Sequence, residues 1–344
     1  MQGLFPWGNP VLSAVLAERT VKLHLPDPGT RAVRQWSLLS LRQRRSLQPL
    51  AELQAALPQL RAEGYEVISL SGRGTLLCPW LGEFVNAAKA DGFRTAVTLT
   101  GGAVTARHRP LLEALDRITV SFDGLDPRHN ALRGNSQTRV RAIAALRYLA
   151  ETGKPAEAMV TVSRNTLRHV PDLVDLCAAL GVRAVRLYPL IETGGATEAG
   201  SGLGLGNAER AALRQLVQAL AETWAGLVAL HVDPTRAEVL AAGAQALDLA
   251  LQRGQEWRLS DAVTPLIVTP EGRLRAWTED FPEEIDLGQL QDLAPARRIW
   301  IMLGLPRLRR ALAHGHQTAA PEEEQAGRVA VASDQVRRAQ MVSV

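Results

Sequence analysis

Cysteine is nearly absent: Cys78 and Cys177 are the only two thiols in 344 residues. That excludes a disulfide framework, and it excludes any metal or iron-sulfur centre that draws three or four thiolates from this chain alone. Lysine occurs only at positions 22, 89 and 154, so arginine carries nearly all the positive charge. With a formal net charge of only +4, this enrichment in Arg, Ala, Leu and Gly reads as GC-rich coding rather than a nucleic-acid surface. Aromatic residues make up 4%, too few to interleave with the arginines as a stacking platform. The clusters Arg42, Arg44, Arg45 and Arg307, Arg309, Arg310 are short enough to read as solvated faces, and no nucleic-acid partner is expected. No apolar run approaches the roughly 18 residues of a membrane span. The N-terminal MQGLFPWGNPVLSAVLAERT lacks the basic and apolar regions of a secretory signal, so a cytoplasmic location away from membranes is expected.

What is present is a chain with 46% hydrophobic and 22% charged residues, long enough for one large domain or two modest ones. From about Val21 to Trp224 short β-type runs alternate with stretches of helical period. Strands are predicted over Val21 to Leu25, Glu66 to Leu70, Arg94 to Thr100, Arg117 to Phe122, Ala158 to Ser163 and Ala184 to Pro189. The helices between them are predicted over Leu47 to Ala62, Leu81 to Ala90, Arg107 to Leu115, Arg139 to Glu151, Leu167 to Leu180 and Ala208 to Trp224. The runs VTLT and ITVSF are almost uninterrupted apolar or β-branched sequence, as expected of parallel strands covered on both faces. Repeated βα units imply right-handed crossovers and an open sheet or partial barrel, with ligands at the carboxyl ends of the strands.

After Trp224 the rhythm changes to a strand at Leu227 to Val232, an Ala-rich helix around Arg236 to Gln252, and two short strands, LIV and RLRAW. Thr269-Pro270-Glu271-Gly272 between them is hairpin turn chemistry. Beyond about His314 the sequence is too polar and small-residue-rich to order itself. His314 and His316 lack a third partner and are not read as a metal site.

The strand ends, taken in order, resemble the radical SAM superfamily. Val67 to Leu77 with Pro79 and Leu81 resembles its second strand and Gly-Gly-Glu-Pro loop; Thr98 to Gly102 stands where the family has Thr-Asn-Gly. Thr119 to Gly124, His129 and Arg133-Gly134 resemble its fourth strand and the residues that follow. Val160 to Val162 with Asn165 resembles the fifth strand, and Tyr188-Pro189 with Gly194-Gly195-Ala196 resembles the sixth. No single motif is specific; the order and spacing are. Thr-Pro-Glu-Gly-Arg and Ile285 to Gly288 extend the likeness to SPASM-like members.

The resemblance implies an α/β fold: a partial (β/α)6 barrel of the radical SAM type over 21–225, with a small C-terminal α+β extension, SPASM-like but without cysteines, over 226–312. An N-terminal segment (1–20) precedes them and a disordered tail (313–344) is expected after them. Carried across residue by residue, the SAM site and barrel mouth fall on Ser71, Gly72, Arg73, Gly74 and Thr100, then on Ser121, Asp123, His129, Arg133, Asn165 and Tyr188. For Asp123 and His129 a turn and backbone hydrogen bonds are the simpler reading, for Arg133 the two readings stand level, and Tyr188 is either a pocket wall or a core-edge aromatic.

The departures weigh more than the matches. The family's CxxxCxxC loop after the first strand supplies three thiolates to a 4Fe-4S cluster, whose open iron binds the amino and carboxyl groups of SAM. Here the loop reads Pro26 to Arg34 without cysteine; some twenty residues precede the first strand, so the loop is present and its ligands are not. The Glu of Gly-Gly-Glu, which meets the SAM amino group, is replaced by Gly74 beside Arg73, and the Asn of Thr-Asn-Gly by Gly101. A guanidinium beside an ammonium that has lost its carboxylate weakens binding.

These substitutions lead to the expectation of a cluster-free, non-catalytic radical SAM-fold protein, a pseudoenzyme that binds a peptide or small molecule, or a partner radical SAM enzyme, in peptide modification or cofactor maturation. No catalytic residue, metal ligand or cofactor is expected; SAM is kept as a candidate ligand and 4Fe-4S is not. The alternatives are an enzyme using SAM or a small molecule in non-radical chemistry, and a subunit of a heteromer with a competent radical SAM enzyme. Gly200 to Gly206 reads as a flexible linker with Asn207 as helix cap, Cys78 as structural and Cys177 as core.

Overall fold

The computed structural model describes residues 18–25, 49–72, 75–100, 104–122, 138–154, 156–190, 202–233, 236–276 and 285–310, and their side chains except at 138 and 236–240. The loop 26–34, the residues after 310, and Arg73, Gly74, Gly101, Asp123, His129 and Arg133 lie outside them. In the barrel half the strands are β1 (Thr20–His24), β2 (Val67–Ser71), β3 (Arg94–Leu99), β4 (Arg117–Ser121), β5 (Glu157–Val162), β6 (Ala184–Pro189) and β7 (Ala229–Val232). Between them run α1 (Leu50–Ala62), α2 (Leu81–Ala90), α3 (Arg109–Ala114), α4 (Thr138–Glu151), α5 (Val170–Ala179) and α6 (Asn207–Thr223). Each predicted strand and helix is found within a few residues, except that α3 and α5 begin as separate 3-10 turns at Ala106–His108 and Leu167–His169. Pro110 and Pro171 fix the first turn of each α-helix where those turns give way.

The sheet order is β10-β9-β8-β1-β2-β3-β4-β5-β6-β7, and every pairing from β1 to β7 is parallel. Because each new strand is added on the same side of the last, right-handed crossovers put all the connecting helices on one face. The sequence obeys that asymmetry. Val21, Leu23, Ile68, Leu70, Val97, Ile118, Val120, Val160, Val185 and Leu187 alternate along the strands and are buried. The other face carries Lys22, His24, Ser69, Thr98, Thr119, Ser121, Thr161, Arg186, Tyr188 and His231. The runs VTLT and ITVSF are therefore not covered alike on both faces: their aliphatic residues lie under helices, and Thr98, Thr119 and Ser121 line the inner face. A β-branched threonine has the strand propensity of valine, which hides the alternation in sequence.

The C-terminal part comprises α7 (Arg236–Gln252), α8 (Leu259–Ala262), β8 (Leu266–Val268), β9 (Arg273–Ala276), β10 (Ile285–Gln289) and α9 (Ala296–Ile299). The expected hairpin forms between β8 and β9, which pair antiparallel, with Gly272 taking φ +77 in the turn. It does not stand apart, because β8 pairs parallel with β1 and so continues the barrel sheet at its open edge. Tyr65, fully buried after α1, donates its hydroxyl to the Val263 carbonyl at 2.9 Å and locks this junction. Residues 202–205 are likewise pinned: Leu205 is buried, and Arg164 donates its backbone N–H to the Leu203 carbonyl at 3.0 Å and its Nη1 to the Gly202 carbonyl at 3.2 Å. The cap of α6 is Gly206, whose N–H donates to the Glu209 carboxylate at 2.8 Å, while Asn207 is already helical. No helix among the described residues is long and apolar enough to cross a membrane.

Candidate functional site

The inner face is built in rows fixed by strand register. One row joins His24, Ser71, Thr98, Thr119 and Glu157 across β1 to β5. The next joins Ser121, Met159, Arg186 and His231 across β4 to β7, and a third places Thr161 beside Tyr188. Ser71, Ser121 and Tyr188 thus share one face, with Tyr188 36% exposed at the rim. Thr100 follows β3 half-buried, and Asn165 is exposed in the turn after β5, where the Ser163 N–H bonds the Thr166 hydroxyl.

At the end of the second strand the chain makes a tight approach to the first. Gly72 has φ +141, and a Cβ there would stand 2.6 Å from the Leu25 carbonyl oxygen. Its own carbonyl accepts the Thr75 hydroxyl at 2.7 Å, while the Leu25 N–H donates to the Ser71 carbonyl at 2.8 Å. The Ser71 hydroxyl oxygen is buried without a hydrogen-bond partner among the described residues.

The strongest electrostatics lie at the opposite edge, on residues the motif comparison passed over. The Arg186 Nε donates to Glu157 at 2.6 Å and its Nη1 to Asp233 at 3.3 Å; Glu157 and Asp233 are 8% and 5% exposed. Burial works against the guanidinium charge, yet the two carboxylates hold its pKa above the ordinary arginine value. Burial pushes the Asp233 carboxyl up, against the pull of Arg186 and a hydrogen bond from Tyr188. Burial, with Arg186 nearby, pushes the His231 imidazole down, and its Nδ1 has no partner among the described residues. A second ion group sits at the strand starts, where Glu18 meets Arg117 at 2.7 Å and Arg94 at 3.3 Å. Burial opposes that carboxylate's charge, but the Arg117 pairing wins and holds its pKa below the usual range. The signal for these residues was in the sequence as polar side chains at alternate positions of AVRLYP and of His231-Val232-Asp233.

The thiols do not form a ligand set. Cys177 is fully buried on α5 and desolvation pushes it up to about 12; Cys78 lies half-buried after β2, and burial raises it too. A cubane is held by three or four thiolates, so these residues do not fit the cluster. In native protein at about pH 8, a thiol reagent should find Cys177 silent and Cys78 slower than free cysteine. Denaturant should release the second equivalent; two fast thiols in the native state would contradict the packing.

A sheet of this order, with helices on one face and a polar inner face on the other, defines an open α/β partial barrel. Residues 36–177 match the family model described as the radical SAM superfamily. It is similar to the AdoMet-dependent heme synthase of Nitratidesulfovibrio vulgaris, 26% identical over 134 residues, which are 38% of this chain and 36% of that protein. It is also similar to the sporulation killing factor maturation protein SkfB of Bacillus subtilis, 28% identical over 142 residues, 41% of this chain and 35% of that protein. The matched stretches span little more than a third of the length of these relatives. Among solved structures, Streptococcus suis SuiB bound to precursor peptide SuiA gives a TM-score of 0.63 at 14% identity, covering 84% of this chain and 65% of that one. Native anSMEcpe with bound AdoMet gives 0.57 at 14% identity, covering 84% and 82%. These two likenesses show the fold.

Proposed function

We propose that this chain is a cluster-free member of the radical SAM fold, a non-catalytic binding or accessory protein acting on a peptide or a cofactor precursor. The observation that carries the reading is the loop Pro26 to Arg34: the first strand ends as the fold requires, and the segment that would carry CxxxCxxC holds no cysteine. Gly74 and Arg73, in place of the glutamate that would meet the SAM ammonium, point the same way. The binding surface is the inner face, with Ser71, Gly72 and Thr100 at one side of the mouth, Ser121 at its middle, and Asn165 and Tyr188 at the other; Arg73, Gly74, Asp123, His129 and Arg133 are kept as candidates from the sequence and lie outside the described residues. Within this reading 21–225 is the barrel and 226–312 a SPASM-like extension, the two sharing one sheet. Relatives named for heme synthesis and peptide maturation, and a structural neighbour holding a precursor peptide, support a peptide or a tetrapyrrole-sized cofactor precursor as ligand, handled in the cytoplasm.

Calorimetric titration of anaerobically purified protein with SAM tests it. No heat is expected, and no shift of the melting temperature at excess ligand, where a bound ligand at a hundredfold its Kd would stabilise by about 2.7 kcal/mol. Micromolar binding would instead favour the reading of an enzyme that uses SAM without radical chemistry.

A further inference from the structure

The last described residues carry an apolar surface that the barrel does not use. α9 runs directly into a π-helical turn, Trp300–Gly304. The Trp300 indole is fully buried, and a Cβ at Gly304 would stand 2.4 Å from its ring. Seating an indole against a residue four positions further along the same helix requires glycine there and a locally widened turn. Such single-turn π segments recur at functional sites. The consequence here is that Ile301, Met302 and Leu303, three consecutive apolar residues, are 37%, 60% and 51% exposed. Ile301 and Met302 border an open cavity of about 320 Å³ whose other walls are Trp257, Arg297 and Arg298.

The charge around this cavity is predominantly positive. Residues 291–310 contain five arginines and a single acidic residue, Asp292. Arg297 lies 6.0 Å over the Trp257 ring, held by Glu63 at 3.2 Å and by the Trp257 carbonyl at 3.1 Å, and Arg298 beside it is exposed. On the Trp257 side Asp261 is paired with Arg19 at 2.6 Å and Glu63 with Arg297, and Glu256 is flanked in sequence by Arg253 and Arg258. A second copy of this chain would bring the same arginines against their own images, since a two-fold interface joins a patch to itself. Nucleic acid would use the arginines but not the aliphatic floor of Ile301 and Met302. Methionine at an exposed groove adapts to varied apolar side chains, as helix-in-groove surfaces require.

We infer that this surface docks an acidic amphipathic peptide segment of a partner protein, its apolar side chains entering the Trp257–Ile301–Met302 cavity and its carboxylates meeting Arg297 and Arg298. The inference stands independently of what the barrel mouth binds.

Fluorescence anisotropy of the full chain with labelled synthetic peptides tests it. The probes are a helical leucine-glutamate amphipath and the same peptide with its glutamates changed to glutamine or to lysine. The glutamate peptide is expected to bind about tenfold or more tightly than the glutamine one, and the lysine peptide not at all at those concentrations. Met302→Asp and Arg298→Glu alter exposed side chains; each is expected to weaken the glutamate peptide about tenfold, the second also admitting the lysine peptide. Equal binding of all three peptides, or indifference to both substitutions, would overturn the inference. So would displacement of the peptide by oligo-deoxythymidine at equal concentration, or a dimer in sedimentation that Met302→Asp abolishes, because the surface would then belong to nucleic acid or to a second copy.

Discussion

Incubated anaerobically with ferrous iron, sulfide and a thiol reductant, then desalted, the protein is expected to retain far less than the roughly four irons per chain of a cubane, and to stay colourless. The argument is one of donor count and donor state. Two thiols are present where three are the minimum; one is fully buried with its pKa pushed up to about 12, and burial also raises the other. Oxygen donors are poor substitutes for them, because the soft iron-sulfur core prefers thiolate. Near-stoichiometric iron and sulfide with a brown chromophore would refute the cluster-free reading whatever the sequence of the first loop suggests. Should that happen with Cys78→Ala as well, ligands from a second chain would have to be sought.

Replacing Arg186 by leucine is expected to destabilise the fold by about 3–5 kcal/mol, the cost of leaving buried charges without their counter-charge. Glu157 and Asp233 are nearly inaccessible and both hold this one guanidinium. Without it, the Asp233 carboxyl, already pushed up by burial, is pushed higher still in the folded state while its unfolded value stays near the usual 4. An acid whose folded pKa is raised costs the fold nothing below its unfolded pKa, and costs progressively more as pH climbs through the folded value. The gap between native and variant urea midpoints is therefore expected to be narrowest near pH 4–5 and to widen toward pH 8. Adding Glu157→Gln and Asp233→Asn should recover a large part of the loss at neutral pH. A gap that is small, or equal at all pH values, would show that Arg186 contributes packing and not charge balance.

Comparison of the two halves of the barrel mouth shows what kind of information a sequence carries. At the β2 end, Ser71 and Gly72 were singled out because the run Val67 to Leu77 resembles a known strand and glycine loop, and the structure sets the missing Cβ of Gly72 against Leu25. At the β6–β7 end, Arg186, His231 and Asp233 belong to no local motif. Their meaning arises only when register sets Arg186 beside His231 on adjacent strands and brings Glu157 from a third. The glycine stretch before α6 misled in the other direction: read alone it is a linker, and among its described residues, 202–206, the contacts of Arg164 and the burial of Leu205 hold it down.

The sequence by itself determined the alternation of strands and helices, the hairpin turn and the lack of thiols, because each is written within a few consecutive residues or in composition. It also determined which strand residues are aliphatic, and right-handed crossovers then oblige those residues to face the helices. Only the tertiary structure decided that β8 pairs with β1 and merges the C-terminal part into one sheet, that a buried ion network crosses β5, β6 and β7, and that the turn at Trp300 presents Ile301 to Leu303 outward. Those features depend on pairings between residues tens to hundreds of positions apart, or on how one indole fits its pocket, and no local propensity encodes either.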